Sequence, residues 1–431
     1  MNFAGRSDLI SFLDQLVKVD GGPQVAPDSG RPVLVLEGSG GSGRSELLRR
    51  TGQRWEKRTP TVLVNPLALP DDQAGSTRPL LAAVMLGLSA DVPGYKVSFN
   101  RVVLAHIAMS APVQAPGPGH AVEVMCQRLN AYRDRDAVIK LVGNWVAASA
   151  AAVANVLVPD GGVFVPEFVK AVAQMIVNKL PGTRLLTRLS WKGALEWFGH
   201  RDQGLNQDPV RALVQLSVQA QSNNVAVRAS VDDLLVGALL ADLRESLNRV
   251  KGHPWNAVVA LDNSDAPVAT WFVTALVRVR QDLAAQGTPP APVTVVAASG
   301  GSLAASLAGQ VPVPVRWEES RLADLRAEDV RRAGSWLSIM LGDLSVKDVR
   351  QMALARVWPP WLGTSVVENA VHRLTGGHAA ATDLVLRDLQ AAPRACHYKC
   401  VSHGWTKIGR CDHHSAGKGT ICESGHQCRG S

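Results

Sequence analysis

Residues 37 to 48, EGSGGSGRSELL, constrain the fold more tightly than any other stretch of the chain. Gly38, Gly40, Gly41 and Gly43 let the backbone wrap closely and turn its N–H groups inward. The apolar run VLVL before them reads as a short strand, and SELLRRTGQRW after them continues as a helix. A helix that starts at this point presents the positive end of its dipole to the loop, so the segment is suited to holding an anion. A second strand candidate follows at Thr61 to Val64, and strand, loop, helix, strand is the unit from which parallel sheets are built.

The spacing matches the phosphate-binding pattern Gly-x-x-x-x-Gly-Lys-Ser/Thr except that Arg44 stands where lysine is usual. The expected nucleotide-binding set is Gly38, Ser39, Gly40, Gly41, Ser42, Gly43, Arg44, Ser45 and Glu46. Ser45 would place a hydroxyl on Mg²⁺, and Arg44 would reach the outer phosphates in a catalytic role. Arginine keeps the charge but spreads it over a bulkier planar fork, so binding is expected to survive better than turnover. Such loops need an acid at the end of a neighbouring strand to hold the metal's shell. Asp262, after VVAL, fits as the second Mg²⁺ residue, and Asp265 is a candidate to polarise water or complete the metal's outer shell. Asn263 stands where many ATPases carry a glutamate base. Ser299, at the end of VTVVAAS, is either a phosphate-sensing residue or a turn residue before two glycines.

The expected fold is α/β: a parallel sheet with a large helical insertion and a helical lid. Residues 1–30 read as an N-terminal helix and linker, with Ser7 as a cap. Residues 31–320 form the nucleotide domain, interrupted by a helical insertion at about 77–225. In and after the insertion, Asp208 with Pro209, and Ser230 with Asp233, read as helix starts, and Leu235, Leu239, Leu243 and Leu247 form an apolar stripe. Strands are expected within Asn256 to Asp265 and Pro292 to Gly301, with a helix from about Val268 to Ala285 between them. Residues 311–317 read as an edge strand because Pro312 and Pro314 cannot donate to a ladder. From Leu322 the pattern is helical, a lid at 321–390, and 391–431 is a Cys/His-rich tail expected to be disordered.

Composition supports a globular protein, with 46% hydrophobic and 19% charged residues in 431. Asp8 and Asp14 break up any apolar leader, which favours a cytoplasmic location, and arginine-rich usage points to a bacterial gene. The alanine-rich run from Asn144 to Val158 is short for a membrane span, and Glu167 and Lys170 interrupt the next apolar stretch, so no membrane association is expected. Of the net charge of +8, the tail supplies four, from six Lys/Arg against two Asp/Glu, so the body is only mildly basic and nucleic acid is not implied. Cys396, Cys400, Cys411, Cys422 and Cys428 crowd the tail, but only Cys396 and Cys400 have zinc-like spacing, so zinc is admitted there and not favoured. The abrupt change of composition after Arg394 also fits an out-of-frame end.

Taken together, FAGRSDL, GSGGSGRS, VVALDNSD and RLTGGHAAATDLVL resemble the STAND-type and related AAA-like P-loop ATPases, signalling and defence switches found in many bacteria. Phe3, Gly5 and Arg6 match the segment that precedes the loop in that family. Gly377 and His378 match the first two positions of its Gly-x-Pro lid motif, where Ala379 replaces the proline. The resemblance covers 1–65 and 230–390 and implies ATP or ADP as ligand, Mg²⁺, and His378 near the phosphates. It further implies a switch, closed with ADP and opened or self-associated with ATP, which Arg44 and Asn263 would leave with slow or absent hydrolysis. Two other functions fit the same residues: a protein-interaction scaffold with a degenerate site, and a DNA-associated initiator-type ATPase. Arg278 and Arg280, which follow the acidic strand, read as solvated surface charges rather than arginine fingers.

Overall fold

The computed structural model describes residues 5–19, 31–69, 76–90, 92–113, 117–132, 136–144, 174, 188–248, 254–309, 316–358 and 364–391. Phe3, most of the first linker, the apolar runs after Asn144, Pro312, Pro314 and the tail cysteines lie outside these residues. The chain divides into one unit at Ser7–Gly342 and a second made of 343–431 with 1–6.

In the first unit the apolar runs pair into one all-parallel, six-stranded sheet. Its strands are β1 (Val33–Glu37), β2 (Thr61–Val64), β3 (Ala257–Leu261), β4 (Val293–Ser299), β5 (Arg316–Glu318) and β6 (Trp336–Met340), in the order β2-β3-β4-β1-β6-β5. Strands β1, β3 and β4 are buried along their whole length, as a parallel sheet covered on both faces requires, which is why they read as continuous apolar runs. Alternate residues such as Val33, Val35, Val259 and Val295 join one core cluster with the helices laid over that face. Helices α1 (Ser7–Val17) and α2 (Arg44–Trp55) also pack on the strands, and their buried leucines belong to none of that cluster.

Among the described residues, the helices between β2 and β3 are α3 (Arg78–Leu88), α4 (Asn100–Met109), α5 (Pro118–Ala131), α6 (Arg188–Phe198), α7 (Pro209–Gln219) and α8 (Val225–Asn248), with 136–144 also helical. Asp208 caps α7 through Arg211 N at 2.8 Å, with Pro209 at the first position. Ser230 is no cap, against the sequence reading. Asn224 Oδ1 accepts from Ala226 N at 2.9 Å and starts α8 earlier, while Ser230 lies inside it and donates to Ala226 O. The stripe Leu235, Leu239, Leu243 and Leu247 is buried as its spacing predicts.

Helix α8 organises this layer through two buried aspartates. Asp232 Oδ1 accepts from Thr77 Oγ1 at 2.8 Å and Thr77 N at 3.2 Å, capping α3. Asp242 accepts from Arg101 N at 2.9 Å, Val102 N at 3.1 Å and Arg101 Nη1 at 2.9 Å, capping α4. Burial nevertheless pushes the Asp242 carboxyl up to about 7, against the opposing pull of Arg101.

After β3, α9 (Pro267–Ala285) and α10 (Ser302–Ala308) flank β4 in sequence, and α11 (Ala327–Ala333) precedes β6. Two sequence expectations are corrected here. The stretch from Leu322 is not helical throughout, because WLSIM forms β6 between β1 and β5, and a short apolar run with both faces covered has no period that separates strand from helix. Arg280 is no solvated charge either. Its guanidinium donates to Arg31 O at 2.6 Å and Val293 O at 2.9 Å, where β1 and β4 begin, and burial lowers its pKa to about 10. Arg278 pairs with Asp233 at 2.7 Å.

The second unit holds α12 (Val346–Leu354), α13 (Thr364–Thr375) and α14 (Ala379–Ala391) around a core that includes Leu344, Val349, Val371 and Leu386. Ser345 and Asp348 form a reciprocal cap on α12. Gly377, at φ 83°, passes so close to Leu344 that an added Cβ would lie 2.1 Å from its carbonyl oxygen. Leu344 N donates to Gly377 O at 2.8 Å across the same contact. Among the described residues, no helix of either unit is long and apolar enough to cross a membrane.

Candidate functional site

Strand β1 ends at Glu37, and the chain turns at once through Gly38 to Gly43 into α2. The turn closes on itself: Ser42 N donates to Ser39 O at 3.1 Å, and a Cβ on Gly38 would lie 2.6 Å from Ser42 Oγ. Gly41 and Gly43 adopt left-handed φ values of 82° and 91°, which side chains resist. No side chain caps α2, so its first N–H groups lack both a cap and intrahelical partners. The loop leaves the carboxyl end of β1, whose two neighbours are β4 and β6. The chain order reverses there, and open parallel sheets bind ligands at such a crevice.

Asp262 follows β3 directly, held by its N–H on Val64 O at 2.9 Å. Its Oδ1 accepts from Ser45 Oγ at 2.9 Å, which brings together residues 217 positions apart. Asn263 N donates to the same oxygen at 2.9 Å, leaving Oδ2 without a protein partner among the described residues. One carboxylate and one hydroxyl at this separation fit Mg²⁺, which completes its shell with water and phosphate oxygens. Among the described residues no group of three or more His, Cys, Asp and Glu is placed to hold a metal ion, and a site of this kind does not need one.

Arg44 is half-buried, and its side chain makes no hydrogen bond or ion pair with the described residues. A Cβ on Gly300 would lie 3.8 Å from Arg44 Nη1 and 3.2 Å from Asp265 Oδ2, so the guanidinium reaches over the turn between β4 and α10. A cation in no direct ion pair at the mouth of such a loop raises the local potential for an anion, offset in part by the Asp265 carboxylate across the same turn.

Asp265, Glu46 and His378 each have partners that the sequence did not disclose. Asp265 accepts from Ser299 Oγ, Gly300 N, Ser302 Oγ at 2.7 Å and Leu303 N at 3.0 Å, so it caps α10. Against the upward push of burial, these bonds hold its carboxyl below the usual range, which makes it a poor proton acceptor. Ser299 is thereby the turn residue of the two alternatives, since its Oγ also accepts from Gly301 N at 2.8 Å. Glu46 pairs along its own helix with Arg49 at 2.7 Å and Arg50 at 2.6 Å. Burial works to raise its pKa, and the bonds from Arg50 and Arg49 outweigh it and lower it. His378 belongs to the second unit, where its Nδ1 accepts from Ala381 N at 3.4 Å and caps α14.

Two further residues at this edge, Asn65 and Glu37, escaped the sequence reading. Asn65, the residue after β2, accepts from Asn263 Nδ2 at 3.0 Å. Asn263 itself sits at φ 49°, a left-handed conformation that asparagine tolerates better than most residues. Glu37 is 2% exposed and bound to Ser338 Oγ and the Arg316 guanidinium. A lone acid closing an apolar strand was the available signal for Glu37. No protein-family model matches the chain, and no curated protein matches it.

Proposed function

We propose that the protein binds ATP with Mg²⁺ in the loop Gly38–Ser45 and acts as a nucleotide-controlled switch with slow or absent hydrolysis. The observation that carries this reading is the 2.9 Å bond from Ser45 Oγ to Asp262 Oδ1 at the carboxyl edge of the sheet, beside an uncapped helix start. Two left-handed glycines shape the turn, and Arg44 adds a cation that is in no direct ion pair with the described residues.

In this reading the amides of the loop and of the first turn of α2 grip the phosphates, and Arg44 neutralises their outer oxygens. Ser45 and Asp262 would hold the metal, which when bound draws charge from the phosphate oxygens. Hydrolysis also needs a group that orients or deprotonates water. Asn263 carries an amide turned toward Asn65, and Asp265 is occupied by four donors. Asparagine offers no base and the Asp265 carboxyl is held below its usual range, which supports binding with little turnover. Adenine rather than guanine, and a switch whose output is self-association or a protein partner, follow from the resemblance to STAND-type and AAA-like ATPases.

Calorimetric titration with ATP, ADP and GTP, each with and without Mg²⁺, tests this, alongside a phosphate-release assay. Saturable ATP binding strengthened by Mg²⁺, with phosphate release near background, is the expected result. No binding of any of the three nucleotides at millimolar concentration would overturn it.

A further inference from the structure

Glu37 is the last residue of β1, and Gly38, which opens the loop, is its direct neighbour. A carboxylate there is the wrong charge to set beneath a polyphosphate unless something neutralises it. Its Oε1 accepts from Ser338 Oγ on β6, and its Oε2 from Arg316 Nη2 on β5. Ser338 is in register with Val35 on one side and Arg316 on the other, so acid, hydroxyl and guanidinium stand in a row on one face of the sheet. The row continues toward the turn that Asp265 caps, since a Cβ on Gly301 would be 4.0 Å from Glu37 Oε2. The pair is lopsided: the Glu37 side chain is 2% exposed and the Arg316 side chain 60%. Its cation comes from a three-residue edge strand with a single neighbour, β6.

We propose that Arg316 is a positioning residue which, by neutralising Glu37, sets how tightly the loop holds a polyphosphate. With Arg316 in place the loop stands over a balanced pair; with it withdrawn, the loop stands over a bare negative charge. Register of β5 on β6 thereby becomes a control on nucleotide affinity. The inference rests on the nucleotide reading above. One unit charge about 10 Å from a phosphate charge, at an effective dielectric of about 20–40, changes Kd about four- to sixteenfold.

The test measures the Kd of Mg·ATP at low salt for wild type, Glu37→Gln, Arg316→Ala, Arg316→Lys and the Glu37→Gln/Arg316→Ala double variant, each checked by thermal melting. Glu37→Gln should bind about four- to sixteenfold tighter, Arg316→Ala weaker by a similar factor, and the double variant within about twofold of wild type. Arg316→Lys, which keeps the charge, should stay near wild type. Weakening in every variant, or Arg316→Lys behaving as Arg316→Ala, would show a merely structural pair and overturn the inference while leaving the nucleotide reading intact. A wild type that binds no ATP overturns both.

Discussion

Replacing Gly38 by alanine puts the geometry of the loop to a direct test. The added Cβ would meet Ser42 Oγ at 2.6 Å and Ser42 Cβ at 3.1 Å, closer than side chains pack, so the turn must open by several tenths of an ångström. Rotation of the serine does not relieve the contact with its own Cβ. Because Ser42 N is bound to Ser39 O and the neighbouring glycines are left-handed, the displacement passes into the amides that would face phosphate. Losing one charge-assisted amide bond costs about 1.5–3 kcal/mol, about 10- to 100-fold in Kd. Ser42→Gly removes both atoms that the new methyl would strike, so the Gly38→Ala/Ser42→Gly double variant should recover most of the affinity. Mg·ATP titrations of wild type, both single variants and the double variant supply the cycle, and thermal melts show that the unit stays folded. Wild-type affinity in Gly38→Ala, or a double variant no tighter than Gly38→Ala, would refute the reasoning.

Other outcomes follow from the same contacts. Ser45→Ala should weaken ATP binding about tenfold in Mg²⁺ and leave metal-free binding unchanged, as titrations in Mg²⁺ and in chelator would show. Gly377→Ala combines a left-handed penalty of about 1–2 kcal/mol with loss of the bond from Leu344 N, about 1 kcal/mol more. Hydrogen exchange should report that loss across α12 to α14. Asp242, lifted by burial to about 7, is protonated more readily in the native state than in the unfolded chain. Its contribution to stability is therefore full below about pH 4 and is lost as pH rises through about 7, with a slope of up to about 1.4 kcal/mol per pH unit. Urea unfolding of wild type and Asp242→Asn across that window should show their difference changing with pH, and a flat difference would mean that Asp242 titrates alike in both states.

What the sequence disclosed and what it hid follow from the range of each interaction. The loop was legible because a strand, four glycines and a helix lie within one short segment, and Asp262 because an acid closes an apolar run. Their meeting across 217 positions was expected from the pattern alone. Strand β6 was not legible, since five residues between two strands, four of them buried, carry no alternation. Asp232 and Asp242 looked like ordinary polar positions on a long helix, because the helix starts they cap belong to other segments. Asp265 fitted a catalytic role by position, and its four donors, which run from the end of β4 to the start of α10, could not be read from its own segment. Arg280 illustrates the same limit: a charge in a helix looks solvated until the carbonyls it clamps are brought to it by the sheet.

Hydrogen–deuterium exchange with and without Mg·ATP addresses the central claim most directly, because it reports where the ligand sits as well as whether it binds. Amides of residues 38–47 and of 262–265 should slow together on adding nucleotide, and Asp262→Ala should abolish the effect at both segments. Unchanged exchange at the loop, or protection confined to a different part of the chain, would contradict the assignment.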